Sequence, residues 1–342
     1  MWNRTRLAVD LLVIIAAFPL GWLGAIWLER LAPKLGLVQL PNERSSHTRP
    51  TPRGGGLAIA LAIVISLGLL APGGGPQVGT VAILTAMIAA LGFTDDLRDI
   101  SALFRFVIQS LVVVVLIWTV WPLPDIPLIA GGAISGAPLA ILIALVGLWW
   151  VNLYNFMDGI DGIAGSQAVL LLLGGLGLWA IGQPDASQAP LFVVSVAAVL
   201  ATVGFLVRNW PPARIFMGDA GSNSLAFFIL AVALSTIAGS VISYQSWLIL
   251  PAAFVTDATI TLVRRVLRGQ LPWRAHRQHV YQYLSRTWGH LRVTMTYSAV
   301  TVLWTLPLAF CAQAWPGLAW WLVLTAYFPL IVGAMLIRPD ES

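Results

Sequence analysis

The sequence predicts an all-α, polytopic integral membrane protein, and three observations carry that prediction. The chain of 342 residues is 58% hydrophobic and only 10% charged, with a mean hydropathy of +0.86, so a water-exposed fold would leave large apolar patches in solvent. Its apolar runs approach the ~20 residues that a spanning helix needs and are parted by Gly, Pro or charged breaks. Its Lys and Arg residues fall in alternate connections, as inner loops require.

Taken in chain order, about eleven transmembrane helices are expected on that length criterion: 7–28, 57–72, 78–93, 103–121, 134–151, 163–181, 189–207, 223–240, 247–263, 293–312 and 317–337. The connections after the second, fourth, sixth, eighth and tenth contain no Lys or Arg, whereas those after the first, third, seventh and ninth hold nearly all of them. Arg4 and Arg6 oppose this pattern at the start and are outweighed by the loops. The expected orientation places the N-terminus outside and the C-terminus, with Arg338, inside. The first span is too long and too poorly flanked for a cleaved signal and is expected to be retained.

The outer connections at 73–77 and 182–188 leave no room for a soluble domain. Residues 1–342 therefore read as a single integral-membrane domain, with inner loops near 29–56, 94–102, 152–162, 208–222 and 264–292. The net charge of +5 resides in membrane-flanking loops and forms no continuous patch, which favours anionic membrane lipids and excludes nucleic acid as the partner. Cys311 is the one cysteine, so no internal disulfide forms.

The sparse acidic residues gather on the inner side. Asp95 and Asp96 end the third span, where adjacent carboxylates repel one another and lose hydration unless a cation compensates. If the helix continues, Asp99 returns to their face. Asn152, Asn155, Asp158 and Asp161 recur every third residue, so each is expected beside the next on a helical turn, interleaved with Gly159 and Gly162, which allow close backbone approach. Asp219 precedes Gly221 and Ser222 at the start of the eighth span, where helix N–H groups could face a phosphate while the carboxylate holds a metal. Asn209 and Phe216 could hydrogen-bond and stack a base.

Two inner loops supply cations. Residues 264–292 contribute Arg264, Arg265, Arg268, Arg274, His276, Arg277 and His279, and residues 29–56 contribute Arg44, His47, Arg49 and Arg53 ahead of the glycines at 54–56. Guanidinium groups pair bidentately with phosphate oxygens, and topology alone also predicts basic residues here. Asp257, inside the ninth span, is expected to pair with one of these arginines. Carboxylates with surrounding arginines suit Mg²⁺ and phosphoryl transfer, with Mn²⁺ as a substitute ion. Zinc lacks a His/Cys ligand set.

Four ordered strings carry a resemblance: Pro50-Thr51-Pro52-Arg53-Gly54-Gly55-Gly56, Asp95-Asp96-x-x-Asp99, Asn155-x-x-Asp158-Gly159-x-Asp161-Gly162 and Phe216-Met217-Gly218-Asp219-x-Gly221-Ser222. Together they resemble the polytopic polyprenyl-phosphate N-acetylhexosamine-1-phosphate transferases of glycosyltransferase 4 type, in a bacterial inner membrane. The resemblance implies that Asp95 and Asp96 serve the lipid phosphate and the metal, and that Asp219 ligates Mg²⁺. It also implies that Asn209, Phe216 and Asp161 help to hold the uridine. Asp95, Asp96, Asp158, Asp161 and His279 are then the catalytic candidates; His47, Arg53, Asn155, Asn209, Phe216 and Arg277 are the substrate-binding ones.

The expected reaction moves a HexNAc-1-phosphate from a UDP-N-acetylhexosamine to undecaprenyl phosphate, releasing UMP, with Arg277 and His279 on the β-phosphate and Asp95 as base or orienting group. A homodimer is an admissible assembly. Where the GlcNAc-transferring branch has an Arg-x-His-x-His-His pattern, this chain has Arg277-Gln278-His279-Val280-Tyr281-Gln282. That departure resembles the O-antigen-initiating branch. It suggests a bulkier, partly apolar surface of Tyr281 and Gln282, suited to a 6-deoxy donor such as UDP-FucNAc or UDP-QuiNAc as well as UDP-GlcNAc. A transporter would instead place charges at bilayer centres, where only Asp10 and Asp257 fall, and would show an internal repeat. A non-enzymatic assembly partner would not need the acidic clusters.

Overall fold

The computed structural model describes residues 4–40, 49–128, 131–271 and 277–337. The chain forms α1 (Arg4–Leu31), a short β1–β2 pair (Val38–Gln39, Thr51–Pro52), α2 (Leu57–Leu97) and α3 (Ala102–Val120). A second small pair, β3–β4 (Ile126–Pro127, Ala133–Ile134), precedes α4 (Gly136–Phe156), α5 (Ile163–Gly182), α6 (Pro190–Asn209) and α7 (Asp219–Ala238). The rest is α8 (Tyr244–Ile249), α9 (Ala252–Leu267), α10 (Val280–Val300), α11 (Leu306–Ala314) and α12 (Ala319–Leu336). The protein is thus an all-α polytopic membrane protein.

Among the described residues, nine helices are long and apolar enough to cross a membrane, against the eleven spans expected, and two local breaks explain the difference. A straight α2 of 41 residues would be ~60 Å long, twice the hydrocarbon thickness. It instead doubles back at Gly75, whose φ of +70° a side chain would disfavour. Both of its ends meet the start of α7: Gly56 N donates to Met217 O at 2.8 Å, and the Arg53 guanidinium donates to Asp96 O. At the bend, Gln77 Nε2 reaches Ser235 Oγ near the far end of α7 at 2.9 Å. The expected spans 57–72 and 78–93 are therefore two antiparallel passes of one element.

The ninth expected span, 247–263, is divided into α8 and α9 by Pro251, which has no N–H to continue the ladder. Thr305 Oγ1 donates to Leu250 O at this break, at 3.0 Å. Neither piece is long enough alone, yet together they run from Tyr244, bonded to Pro124 O, to Arg264, bonded to Ala334 O and Ile337 O. α10 also bends, at Gly289 (φ +76°), before continuing through a π-turn at Thr301–Thr305 into α11.

α1 and α6 run parallel. Arg6 donates to Gln188 O at one end, and Glu29 pairs with Arg208 at 2.6 Å at the other. The start of α1 thus lies on the side of residues 186–188 and the end of α12 lies on the opposite side, as an odd number of passes requires. α7 is the bundle axis, buried along nearly its whole length from Ala220 to Ile237. Its start is approached by backbone on two sides: a Cβ at Gly56 would lie 2.4 Å from Gly221 Cα, and one at Gly92 2.5 Å from Asp219 O.

Candidate active site

The ends of these helices on the side of Asp96 and Asp219 surround a cleft of about 720 Å³. Of the residues expected from sequence, Arg53, Asp96, Asn155, Asp158, Asn209, Phe216, Asp219 and Arg277 line it. Loops more than a hundred residues apart converge here because α2 returns to its starting side and α7 begins between its two ends. The stretch 52–56 is stitched to 216–217 by Phe216 N to Pro52 O, Gly55 N to Phe216 O and Gly56 N to Met217 O, at 2.8–2.9 Å.

Asp96 caps α7 from another helix. Its Oδ1 accepts from Asp219 N and its Oδ2 from Ala220 N, each at 3.1 Å, while Gly221 N and Ser222 N donate to Gly218 O. The start of α7, expected to face a phosphate, is therefore satisfied within the protein. The carboxylate suits the partial positive charge of a helix N-terminus, and this contact fixes where Asp219 stands.

The Asp219 carboxylate accepts from Asn155 Nδ2 at 3.2 Å and from Arg105 at 3.3 Å. Ser222 Oγ donates to Asn155 Oδ1 at 2.9 Å and orients that amide. Arg105 also pairs with Asp95, whose Oδ1 accepts from Ile100 N at 2.9 Å. Asp95 does not line the cleft; it meets the site through Arg105 and directly, its carboxylate standing beside that of Asp219. Arg105 is absent from the sequence-derived set: it lies ten residues beyond Asp95 in the next helix, and only the reversal after Leu97 brings it back.

Asp158 follows α4 in the turn at the cleft floor. Burial pushes its carboxyl well above the ordinary range, and the negative charges of Asp219, Asp96 and Asp161 push it the same way. Excess negative potential among oxygen donors fits a hard divalent cation. Among the described residues no three His, Cys, Asp or Glu side chains group as a ready-made metal cage.

Several expected site residues lie elsewhere. Asp161 is buried, with Oδ1 3.1 Å from His290 Nδ1 and Oδ2 accepting from Ala213 N at 3.0 Å, so it braces the cleft wall. Asn209, although it lines the cleft, accepts from Gly162 N at 3.0 Å and donates to Ile215 O at 2.9 Å. His279 is 2% exposed, sits between the rings of Phe156 and Tyr281 and does not line the cleft. Its Nδ1 lies 3.5 Å from Asp257 Oδ1. Asp257 therefore faces this histidine and not the expected arginine, and it accepts from Val280 N, Tyr281 N and Tyr297 Oη at 2.5–2.9 Å.

α2 ends at Leu97 with Arg98 extended, so Asp99 does not return to the face of Asp95 and is exposed. α4 likewise ends at Phe156, leaving Asn152 to bond Gln109 Oε1 at 3.0 Å between helices. Arg264 holds Ala334 O and Ile337 O, and Arg265 holds Gln278 Oε1 and Leu271 O. Arg44, His47, Arg274, His276 and Arg338 lie outside the described residues. Besides Arg105, the sequence reading omits Gln39, Ser285 and Arg286, which line the cleft; none belongs to an acidic or glycine-rich string.

Comparison with known proteins bears on this geometry. Residues 78–237, which contain the acidic strings and the start of α7, match the model of glycosyl transferase family 4. A probable undecaprenyl-phosphate N-acetylglucosaminyl 1-phosphate transferase of Bacillus subtilis (strain 168) is 30% identical over 287 residues, 81% of this chain and 75% of the relative. The chain belongs to glycosyl transferase family 4. A decaprenyl-phosphate N-acetylglucosaminephosphotransferase of Mycobacterium tuberculosis (strain ATCC 25618 / H37Rv) is 31% identical, with 83% of this chain and 77% of the relative covered. An undecaprenyl-phosphate alpha-N-acetylglucosaminyl 1-phosphate transferase of Escherichia coli (strain K12) is 28% identical, with 91% and 83% covered. In this family member the matched segment supplies the carboxylates, whereas Arg53 and Arg277 lie on either side of it.

Proposed function

We propose that this protein transfers a HexNAc-1-phosphate from a UDP-N-acetylhexosamine to a polyprenyl phosphate, undecaprenyl phosphate in a bacterial inner membrane, with release of UMP. The supporting observation is the cleft itself: Asp96, Asp158 and Asp219 face Arg53 and Arg277 at the ends of membrane helices, on a chain whose relatives carry transferase names of this type. Such a cleft joins a lipid-borne phosphate to a soluble, anionic donor.

In this reading an oxygen of the lipid phosphate attacks the sugar-bearing β-phosphorus, the bond from that phosphorus to the bridging oxygen breaks, and UMP carries the electron pair away. Mg²⁺, when bound, would neutralise the diphosphate, held by Asp219 and by the lone pairs that Asp96 does not spend on α7. Arg53 and Arg277, which both line the cleft, orient phosphate oxygens. Asp95 fixes Arg105 beside Asp219, and Phe216 offers a ring to the uracil. Initiation of O-antigen or another surface polysaccharide is the place this reaction would take.

The grounds for preferring a 6-deoxy donor weaken, because Tyr281 is fully buried and offers the cleft no apolar surface. UDP-GlcNAc, UDP-GalNAc and 6-deoxy donors are therefore tested together. The purified protein is expected to release UMP only when UDP-HexNAc, polyprenyl phosphate and Mg²⁺ are all present. Solute flux in proteoliposomes without any UMP release would overturn the reading in favour of transport.

A further inference from the structure

We propose that Asp257, which does not line the cleft, is a positioning residue: it ties the two limbs of α10 together across Gly289 and so sets where Arg277 and Arg286 stand. This rests on the cleft being a UDP-HexNAc site and names the group that holds its cationic wall in place.

Asp257, Thr261 and Arg265 follow one another at successive turns of α9 and form a single stripe, and all three are buried. The stripe grips the chain just after Arg277. Arg265 Nη1 donates to Gln278 Oε1 at 3.1 Å. The Asp257 carboxylate accepts from Val280 N at 2.8 Å and from Tyr281 N at 2.9 Å, N–H groups at the start of α10 that have no partner within the helix and whose partial positive charge suits a carboxylate. Thr261 Oγ1 donates to Asp257 Oδ1 at 3.3 Å and steadies it.

The same carboxylate holds the far limb of α10. Tyr297 Oη donates to Asp257 Oδ2 at 2.5 Å, so Tyr281 N and Tyr297 Oη meet on one oxygen. In a straight helix these two residues would stand roughly 24 Å apart, a gap that one carboxylate cannot bridge. The bend makes the meeting possible: Gly289 has a φ of +76°, a conformation that a side chain would disfavour, and the limbs turn toward one another about it. The first limb brings Ser285 and Arg286 to the cleft and follows directly on Arg277. Tying both limbs to α9 therefore fixes these guanidinium groups relative to Asp158 and Asp219. The hold extends to the next helix, because Tyr281 Oη donates to Phe156 O at 2.8 Å, beside the Asn155 that bonds Asp219. A guanidinium fork binds a diphosphate best when its direction is set beforehand.

Tyr297→Phe removes only the tie to the far limb. Tyr327→Phe, which loses a comparable bond from α12 to Leu248 O at 2.8 Å, is the control. Calorimetric titration of the purified protein with UDP tests the assignment in two backgrounds, unmodified and with Arg277→Gln and Arg286→Gln combined, with UMP release measured alongside. Tyr297→Phe is expected to weaken UDP about tenfold in the first background and by less than about twofold in the second, because residues that act as one unit do not add. Asp257→Asn should behave in the same way, and Tyr297→Phe decides alone if that variant fails to fold. An equal loss in both backgrounds, a matching loss from Tyr327→Phe, or unchanged UDP affinity in Tyr297→Phe overturns the role of Asp257. If the unmodified protein binds UDP yet releases UMP from no donor, the transferase reading falls while the comparison of backgrounds still decides what Asp257 does. Absence of UDP binding brings down both.

Discussion

Asp219 illustrates how much one residue owes to others. Its carboxylate stands in the cleft because Asp96 holds the backbone N–H groups at the start of α7 and because Asn155 and Arg105 reach it from two further helices. Asp219→Asn preserves shape and removes charge. UMP release should fall by about a hundredfold or more, as for loss of a key electrostatic group, with its Mg²⁺ dependence flattened and thermal unfolding in detergent little changed. Near-normal turnover at low Mg²⁺ would rule out Asp219 as the ligand. At this scale the sequence was informative about which residues matter, since carboxylates at a membrane edge are costly and rarely idle. It was uninformative about their partners: nothing local distinguishes Asp96, which lines the cleft, from Asp161, which braces a wall against His290.

The elements depend on close approach at the start of α7. Gly92 lets the returning half of α2 touch Asp219 O, where a Cβ would come within 2.5 Å. Gly92→Val should therefore destabilise the protein by about 1–3 kcal/mol, the usual cost of overpacking, and lower activity with it. Gly68→Val, on the same α2 with nothing within 4 Å of its would-be Cβ, is the control and should unfold like the unmodified protein. Equal behaviour of the two variants would show that the contact does not constrain the helices. Apolar runs reveal where helices lie, but the breaks have other causes. Gly75 reverses α2 and Pro251 parts α8 from α9, so the expected Asn152–Asp161 helical face ends early at Phe156 for a similar local reason, the turn that contains Gly159 and Gly162.

For the whole molecule, the parallel packing of α1 and α6 places the first residues of α1 beside residues 186–188, away from the cleft. With Cys311 replaced by Ser, single cysteines at 73 and 185 should react with an impermeant thiol reagent from the outer face, and those at 98 and 268 only after the inner face is opened. The opposite pattern would turn the cleft away from cytosolic UDP-sugars and remove the basis for the proposed donor. The Lys and Arg distribution is the ground for this expected orientation, because the cost of moving cations across a bilayer is set by each loop separately.

By itself, the sequence determined the class of the protein, the number of passes and the three acidic strings, because hydropathy, charge placement and the expense of ionised groups near lipid are properties of short segments. Only the tertiary structure decided that Asp96 caps α7, that Arg105 joins Asp95 to Asp219, that His279 is withdrawn behind the cleft with Asp257, and that Tyr281 is buried with its hydroxyl on Phe156 O. Those outcomes depend on which backbones can approach one another. In a bundle packed around α7, that is fixed by glycines and bends acting between segments far apart in the chain.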